Sequence, residues 1–200
     1  MSISGAMSNL VLASSSTYRK SLLERLAIEF SCCSPNIDES ALAVESAPQL
    51  TERLALEKAR AVADRFPNAV VIGADQTAEV NGALLNKPLT HEQAVAQLSA
   101  QSGQQVLFHS GLAVIQIEPN GQLKQHSLVN TTEVEFRSLT FAQIERYLTS
   151  EQPYDCAGSF KAEGLGISLF SAVRSNDPTS LIGLPLIDLC SILPQFSIKV

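Results

Sequence analysis

Asn68-Ala69-Val70-Val71-Ile72-Gly73-Ala74-Asp75 is a continuous apolar run that closes on a glycine and a carboxylate. A short run of this kind, without polar alternation, reads as a strand covered on both faces. Such a strand delivers a functional group at its end, so Asp75 is the first candidate for chemistry. The stretch just before it, 48–66, is rich in Ala, Leu and Glu. Leu50, Leu54, Ala55, Ala59, Val62 and Ala63 recur there at intervals of three and four, which predicts a helix with one apolar face. A helix running straight into a buried strand is the repeating step of an α/β fold.

The same alternation extends in both directions. Leu10 to Ala13 reads as a strand, followed by the polar loop Ser14-Ser15-Ser16 and a helix through Leu22, Leu23 and Leu26. A short strand is expected over 29–34. Asn81-Gly82 marks a hairpin, and Thr90 opens a helix over 89–99. Strands are expected over 105–117 and 122–136, joined by Pro119-Asn120-Gly121, then a helix capped by Thr140 and a closing helix over 181–193. Consecutive strands in the middle favour a long mixed sheet flanked by helices over a purely parallel one.

With 200 residues, 45% hydrophobic and 17% charged, the chain reads as a single domain over 1–200, with residues 1–8 as a flexible extension. Disorder is excluded, and a core of this size needs no cross-links. The net charge of −6 excludes a broad basic surface, so nucleic acid is not an expected partner. No apolar run approaches the ~18 residues of a membrane span, and no basic-then-apolar leader opens the chain, so a cytoplasmic protein without membrane contact is expected. Cys32, Cys33, Cys156 and Cys190 form no C-x-x-C pair and read as small buried fillers.

Three groups of residues could carry chemistry. Ser14-Ser15-Ser16-Thr17-Tyr18-Arg19-Lys20 places hydroxyls, free N–H groups and two cations at a helix start. Cations are disfavoured there unless something negative binds, although an ordinary Ser/Thr cap would use the same hydroxyls. Asp38-Glu39, Glu57-Lys58, Asp75-Gln76 and Asn86-Lys87-Pro88 each lie near an element boundary. Singly they are ordinary surface charges; together they hold the parts of metal-assisted phosphate chemistry, carboxylates for a hard cation and lysines for phosphate charge. The third group, Tyr154 to Gly166, is punctuated by Gly158, Gly164 and Gly166, and an extended backbone would put Lys161 and Glu163 on one face. His91, His109 and His126 lack ligand spacing, and no P-loop or G-x-S-x-G elbow occurs.

Taken in order, LVLASSSTYRKSLL, NIDES, LALEKA, VIGADQ, NKPLT, CAGSFKAEGLG and GLPL resemble the Maf family of nucleoside triphosphate pyrophosphatases over nearly the whole chain. CAGSFKAEGLG, with Gln after the Asp, is similar to the branch that acts on 7-methyl-GTP. The resemblance implies an elongated mixed sheet with helices on it and two lobes around a central nucleotide cleft, as in inosine triphosphate pyrophosphatases. It implies Asp75 as proton acceptor, Ser14, Arg19, Lys58, Lys87 and Lys161 as substrate-binding groups, and Glu39 with Asp75 as carboxylates for Mg²⁺ or Mn²⁺. Tyr18, Gln76 and Glu163 fall on positions that select the substrate. The family pattern also leaves open a broader pyrophosphatase for other nucleotides, a nucleotide-binding regulator of cell division, and a homodimer. Asn86 stands where the family has Gly, and Lys20 where it has a second Arg.

Overall fold

The computed structural model describes residues 9–200. The expected N-terminal extension, residues 1–8, lies outside them.

Seven strands form one mixed sheet: β1 (Leu10–Ala13), β2 (Ser31–Cys32), β3 (Val70–Val80), β4 (Ala83–Leu85), β5 (Gln105–Ile117), β6 (Leu123–Phe136) and β7 (Phe170–Arg174). The order is β2-β1-β3-β5-β6-β7, with β1 parallel to β2 and β3 and the remaining pairs antiparallel. β6 alone, at 14 residues, spans about 45 Å. Helices α1 (Thr17–Glu24), α2 (Ala47–Ala63), α3 (His91–Gln101), α4 (Phe141–Glu151) and α5 (Leu186–Ile192) pack on it. This is the elongated, helix-flanked mixed sheet that the residue pattern predicts.

β3 differs from its expected reading. It does not stop at Asp75 but continues to Val80, and its outer edge carries two strands in tandem. β1 pairs with Val70 to Gly73, and β4 pairs with Ala78 to Val80 through the expected hairpin, where Asn81 and Gly82 take φ of 50° and 78°. The edge from Ala74 to Thr77 is left without a strand partner, so Asp75 and Gln76 stand at a break between two neighbours. Breaks of this kind, where the sheet's edge changes partner, are where α/β sheets open a crevice.

Strand alternation sends the two residues to opposite faces. On one face, Leu12, Ile72 and Val114 join Leu22, Leu189 and Leu193 in an apolar core under α1 and α5. Farther along the same face, Val80, Val106 and Phe136 join Leu98 and Leu148 in a second core under α3 and α4. Between these cores runs a polar seam across three strands, Gln76, Ser110 and Asn130, which are register partners. The seam separates the two lobes.

The opposite face is covered by α2, where Val11, Val71 and Ile115 meet Ala55, Ala59 and Val62. Two glycines bring the helix close. A Cβ on Gly73 would lie 2.1 Å from Ala55 O, and one on Gly111 would lie 2.5 Å from Thr51 O. With small residues on both sides, the α2 backbone rests on the sheet.

The C-terminal segment departs from the single long helix expected over 181–193. Gly183 at φ 117° and Pro185 confine α5 to Leu186–Ile192, after a 3-10 turn at Ser180–Ile182. Buried Asp177 organises the turn, accepting from Thr179 N at 2.8 Å and Ile187 N at 2.6 Å. The cysteines differ in part: Cys32 is exposed and Cys156 and Cys190 are partly exposed, whereas the partly exposed Cys33 packs against the core under α2.

Candidate active site

A cleft of about 560 Å³ opens at the break in the β3 edge. It is lined by Ser14, Tyr18 and Arg19 from the β1–α1 connection, Glu39 from the following loop, Lys58 from α2, Asp75 and Gln76 from β3, and Lys87 after β4. Lys161 and Glu163 line its far wall together with Asp155 and Cys156. Every site residue expected from the sequence therefore borders one space, although they span nearly 150 positions of chain.

Glu57 and Lys58, adjacent in sequence, part company because successive helical residues point about 100° apart. Glu57 pairs with Arg53 on the outer face of α2 at 3.1 Å. Lys58 points under the helix, 6% exposed at its side chain, and its ammonium meets Asp75 Oδ1 at 2.7 Å and Glu39 Oε1 at 3.0 Å. The close seat of α2 on Gly73 is what lets a lysine of the helix reach a mid-strand carboxylate. Asp75 Oδ2 accepts from Thr77 Oγ1 at 3.5 Å.

At the β1–α1 connection the capping and the cleft-lining functions fall to different serines. Ser16 is the N-cap, accepting from Arg19 N at 3.3 Å, while buried Ser14 accepts from Ser16 N at 3.1 Å and faces the cleft. Arg19 Nε donates to Gly183 O at 3.0 Å, which ties α1 to the turn before α5. Burial pulls the Arg19 guanidinium below its ordinary pKa, while Asp75 and Glu39 act in the opposite direction. Lys20 points away and pairs with Glu24 at 3.7 Å. Asn86 accepts from Gln97 Nε2 at 2.9 Å through its carbonyl, and the left-handed residue of this segment is Leu89, at φ 60°.

Gln76 is committed to the protein. Its amide nitrogen lies 3.0 Å from Ser180 O and 3.0 Å from Leu181 O, and 3.1 Å from Ser110 Oγ, which itself donates to Ser180 O at 2.6 Å. Two carbonyls facing one terminus identify it as the NH₂ end. Lys161 and Glu163 do not share a strand face, because 162–164 is a turn rather than extended backbone. They nonetheless both line the cleft. A Cβ on Gly166 would lie 2.2 Å from Lys161 O, so the turn closes on a glycine.

The Tyr18 end of the cleft holds mixed charge. Burial raises the Tyr18 phenol, as do the nearby Cys156 thiol and the Asp155 and Glu163 carboxylates, with Lys161 opposing. Burial and Asp155 push the Cys156 thiol up to about 12. Asp155 lies within the Tyr154–Gly166 group, and Cys156, expected as a buried filler, instead lines the cleft. Phe108 and Phe160 stack edge to face at 5.1 Å and line the cleft; Phe160 lies in the CAGSFKAEGLG motif, whereas Phe108 is not marked by the sequence. An apolar strand residue such as Phe108 carries no local sign that one edge of its ring borders a cleft.

An α/β protein whose cleft gathers cations and carboxylates at a break in a mixed sheet is built to hold a phosphorylated small molecule. The chain belongs to the Maf-like protein family, whose model matches residues 9–196. It is 50% identical over 194 residues to a 7-methyl-GTP pyrophosphatase of Xanthomonas axonopodis pv. citri, covering 97% of this chain and 100% of that one. It is 47% identical to a nucleoside triphosphate pyrophosphatase of Acinetobacter baylyi, over 96% of this chain and 98% of that one. Among solved structures, a nucleoside-triphosphatase, dITP/XTP pyrophosphatase, of Mycobacterium abscessus aligns over 92% of this chain and 98% of that one, at 16% identity and a TM-score of 0.44.

Proposed function

We propose that the protein hydrolyses 7-methyl-GTP to 7-methyl-GMP and pyrophosphate, clearing a modified nucleotide from the cytoplasmic pool. The observation that carries the reading is the buried Lys58 ammonium between Asp75 and Glu39 at the break in the β3 edge. The choice of nucleotide is supported by relatives about half identical to this chain that are named 7-methyl-GTP pyrophosphatases.

Water attacks the α-phosphorus, and the bond from that phosphorus to the α–β bridging oxygen breaks, releasing pyrophosphate. Asp75 takes the proton of the water. Ser14, Arg19, Lys58 and Lys87 bind the triphosphate, the three cations stabilising charge growing on the leaving group, and Lys161 binds the substrate from the far wall. At the far end of the cleft, Tyr18 stacks on the cationic 7-methylguanine ring, and Glu163 balances its charge or accepts from its N–H edge. Gln76, its NH₂ bound to the Ser180 and Leu181 carbonyls, contributes to base selection by holding that turn at the cleft wall rather than through a bond of its NH₂ to the base.

The donor chemistry fits a divalent cation that arrives with its substrate. Among the described residues no three His, Cys, Asp or Glu side chains gather into a metal site, but Glu39 and Asp75 stand on one ammonium. Glu39 and Asp75 would hold the ion, two hard carboxylate donors of the kind that suits Mg²⁺ or Mn²⁺. When bound, the ion supplies neutralisation of phosphate charge.

A panel of 7-methyl-GTP, GTP, dTTP, UTP and CTP with Mg²⁺ or Mn²⁺, read as pyrophosphate release, tests the reading. A preference for 7-methyl-GTP is expected. Equal rates on all five overturn the selectivity, and no release from any overturns the hydrolysis.

A further inference from the structure

Glu39 reaches the cleft from a segment that the apolar core does not hold. Its side chain is 55% exposed, and the residues after it turn their apolar side chains outward, with Leu42 61% and Val44 98% exposed. One exposed carboxylate on one lysine does not order such a strap, because the ordering entropy of its backbone exceeds the worth of an exposed ion pair. Something else holds it.

Apart from the Asp38–Ser40 turn and the Ser46–Gln49 cap of α2, the polar contacts of the strap converge on Arg53 of α2. Its guanidinium makes a two-pronged pair with Glu45, Nε to Oε1 at 2.7 Å and Nη2 to Oε2 at 2.9 Å, and Nη2 also donates to Ser40 O at 3.0 Å. Glu45 Oε2 in turn accepts from Leu42 N at 3.2 Å, so both ends of the 40–45 turn close on one guanidinium. Nη1 donates to Glu57 Oε2 at 3.1 Å, which keeps the fork flat on α2. The side chains of Arg53 and Glu45 are 21% and 9% exposed, a shielded pair with the geometry of the stronger charge-assisted bonds. The Arg53 hydrogen bond holds the Glu45 carboxyl below its usual range. Five residues farther along the same helix stands Lys58, so one rigid element carries both the strap's anchor and the ammonium that Glu39 meets.

We propose that Arg53 is a positioning residue: by gripping Glu45 and the Ser40 carbonyl it fixes the 38–46 strap on α2 and thereby keeps the Glu39 carboxylate on Lys58 beside Asp75. The structural half of this inference stands by itself; its consequence for turnover rests on the hydrolytic reading above. Arg53 and Glu45 do not line the cleft, so their loss acts on catalysis only through Glu39.

The test compares Arg53→Ala, Arg53→Lys, Glu45→Gln, Glu39→Gln and the Arg53→Ala/Glu39→Gln double variant by amide hydrogen exchange and by steady-state kinetics on 7-methyl-GTP with Mg²⁺. Arg53→Ala and Glu45→Gln are expected to speed exchange at the strap amides, Leu42 and Glu45 among them, and to leave β3 and β5 protected. Their kcat should fall about 10- to 100-fold, as for removal of a group that orients a ligand, with KM less affected. Arg53→Lys, which keeps charge but loses the fork, should lie between Arg53→Ala and the unaltered protein. The double variant should be no slower than Glu39→Gln alone, the signature of two residues acting as a unit. Unchanged strap exchange overturns the inference even if no nucleotide is hydrolysed at all. Hydrolysis slowed by Glu39→Gln but not by Arg53→Ala, or additive losses in the double variant, overturns it while leaving the proposed activity intact.

Discussion

Lys58 Nζ stands 2.7 Å from Asp75 Oδ1, and both side chains are almost fully enclosed, at 6% and 8% exposure. Removing one partner of a buried pair leaves an uncompensated charge, which costs about 3–5 kcal/mol. Lys58→Met should therefore lower the urea midpoint markedly. Asp75→Asn leaves Lys58 its second carboxylate, Glu39, and should be the milder change in stability. Its pyrophosphate release should nonetheless fall by about 10²- to 10⁴-fold, the usual worth of a general base. Unaltered release from Asp75→Asn rules out Asp75 as the base.

Gly73 and Gly111 set how deep α2 lies, and hence where Lys58 ends. A Cβ on Gly73 would come within 2.1 Å of Ala55 O and 2.7 Å of Ala59 N, both backbone atoms. Gly73→Ala must lift the helix, with a cost of about 1–3 kcal/mol or more and a loss of turnover. Gly82→Ala, whose Cβ would meet nothing at φ 78°, should cost about 1 kcal/mol and leave turnover unchanged. Thermal unfolding and pyrophosphate release on the pair separate crowding from backbone strain; equal loss of turnover in both contradicts the close-approach argument.

The Gln76 amide faces two carbonyls of the Ser180–Ile182 turn. Gln76→Glu replaces a donor with a carboxylate against those carbonyls and should cost about 1–3 kcal/mol, more than Gln76→Leu, which removes the donor without adding charge. Thermal midpoints of the two variants decide the point. A Glu variant as stable as the parent would show that the NH₂ is not committed to the turn.

Burial and Asp155 raise the Cys156 thiol from 9.0 to about 12. The thiolate is the reactive form, so at pH 8 Cys156 should be alkylated by iodoacetamide more slowly than exposed Cys32, as read by peptide mass spectrometry. The folded value lies above the unfolded one. The thiol therefore favours the fold fully below about pH 9, and that contribution is lost as pH rises toward about 12. Faster alkylation of Cys156 than of Cys32 contradicts the assignment.

Local pattern was legible where burial and helicity depend on neighbours in sequence. β1 spans Leu10–Ala13 and β5 spans Gln105–Ile117, the bounds that the apolar runs predict. Thr140 caps α4 with Gln143 in a reciprocal box, Gln143 N donating to Thr140 Oγ1 at 3.3 Å. The misreadings came where tertiary contact overrode local pattern. β3 runs past Asp75 because β5 pairs with it along its whole length, out to Val80 with Val106. The C-terminal helix breaks because Gly183 and the buried Asp177 build a turn that receives Arg19 and Gln76 from more than 100 residues away. Arg53 carries no mark in the sequence, since nothing local pairs it with Glu45 and Ser40.

By itself the sequence determined the α/β class, the elements around Asp75, and the order of motifs that identifies the family. Periodicity suffices for the class and the elements, because which faces can be buried is a property of each segment, whereas the family rests on the resemblance of the motifs. The tertiary structure alone decided that Lys58 rather than Glu57 turns inward, that Glu39 meets it, and that Gln76 is held by the 180–181 carbonyls. Those contacts depend on how closely α2 sits on Gly73 and Gly111 and where the β3 edge changes partner, distances set by packing between segments that no local pattern encodes.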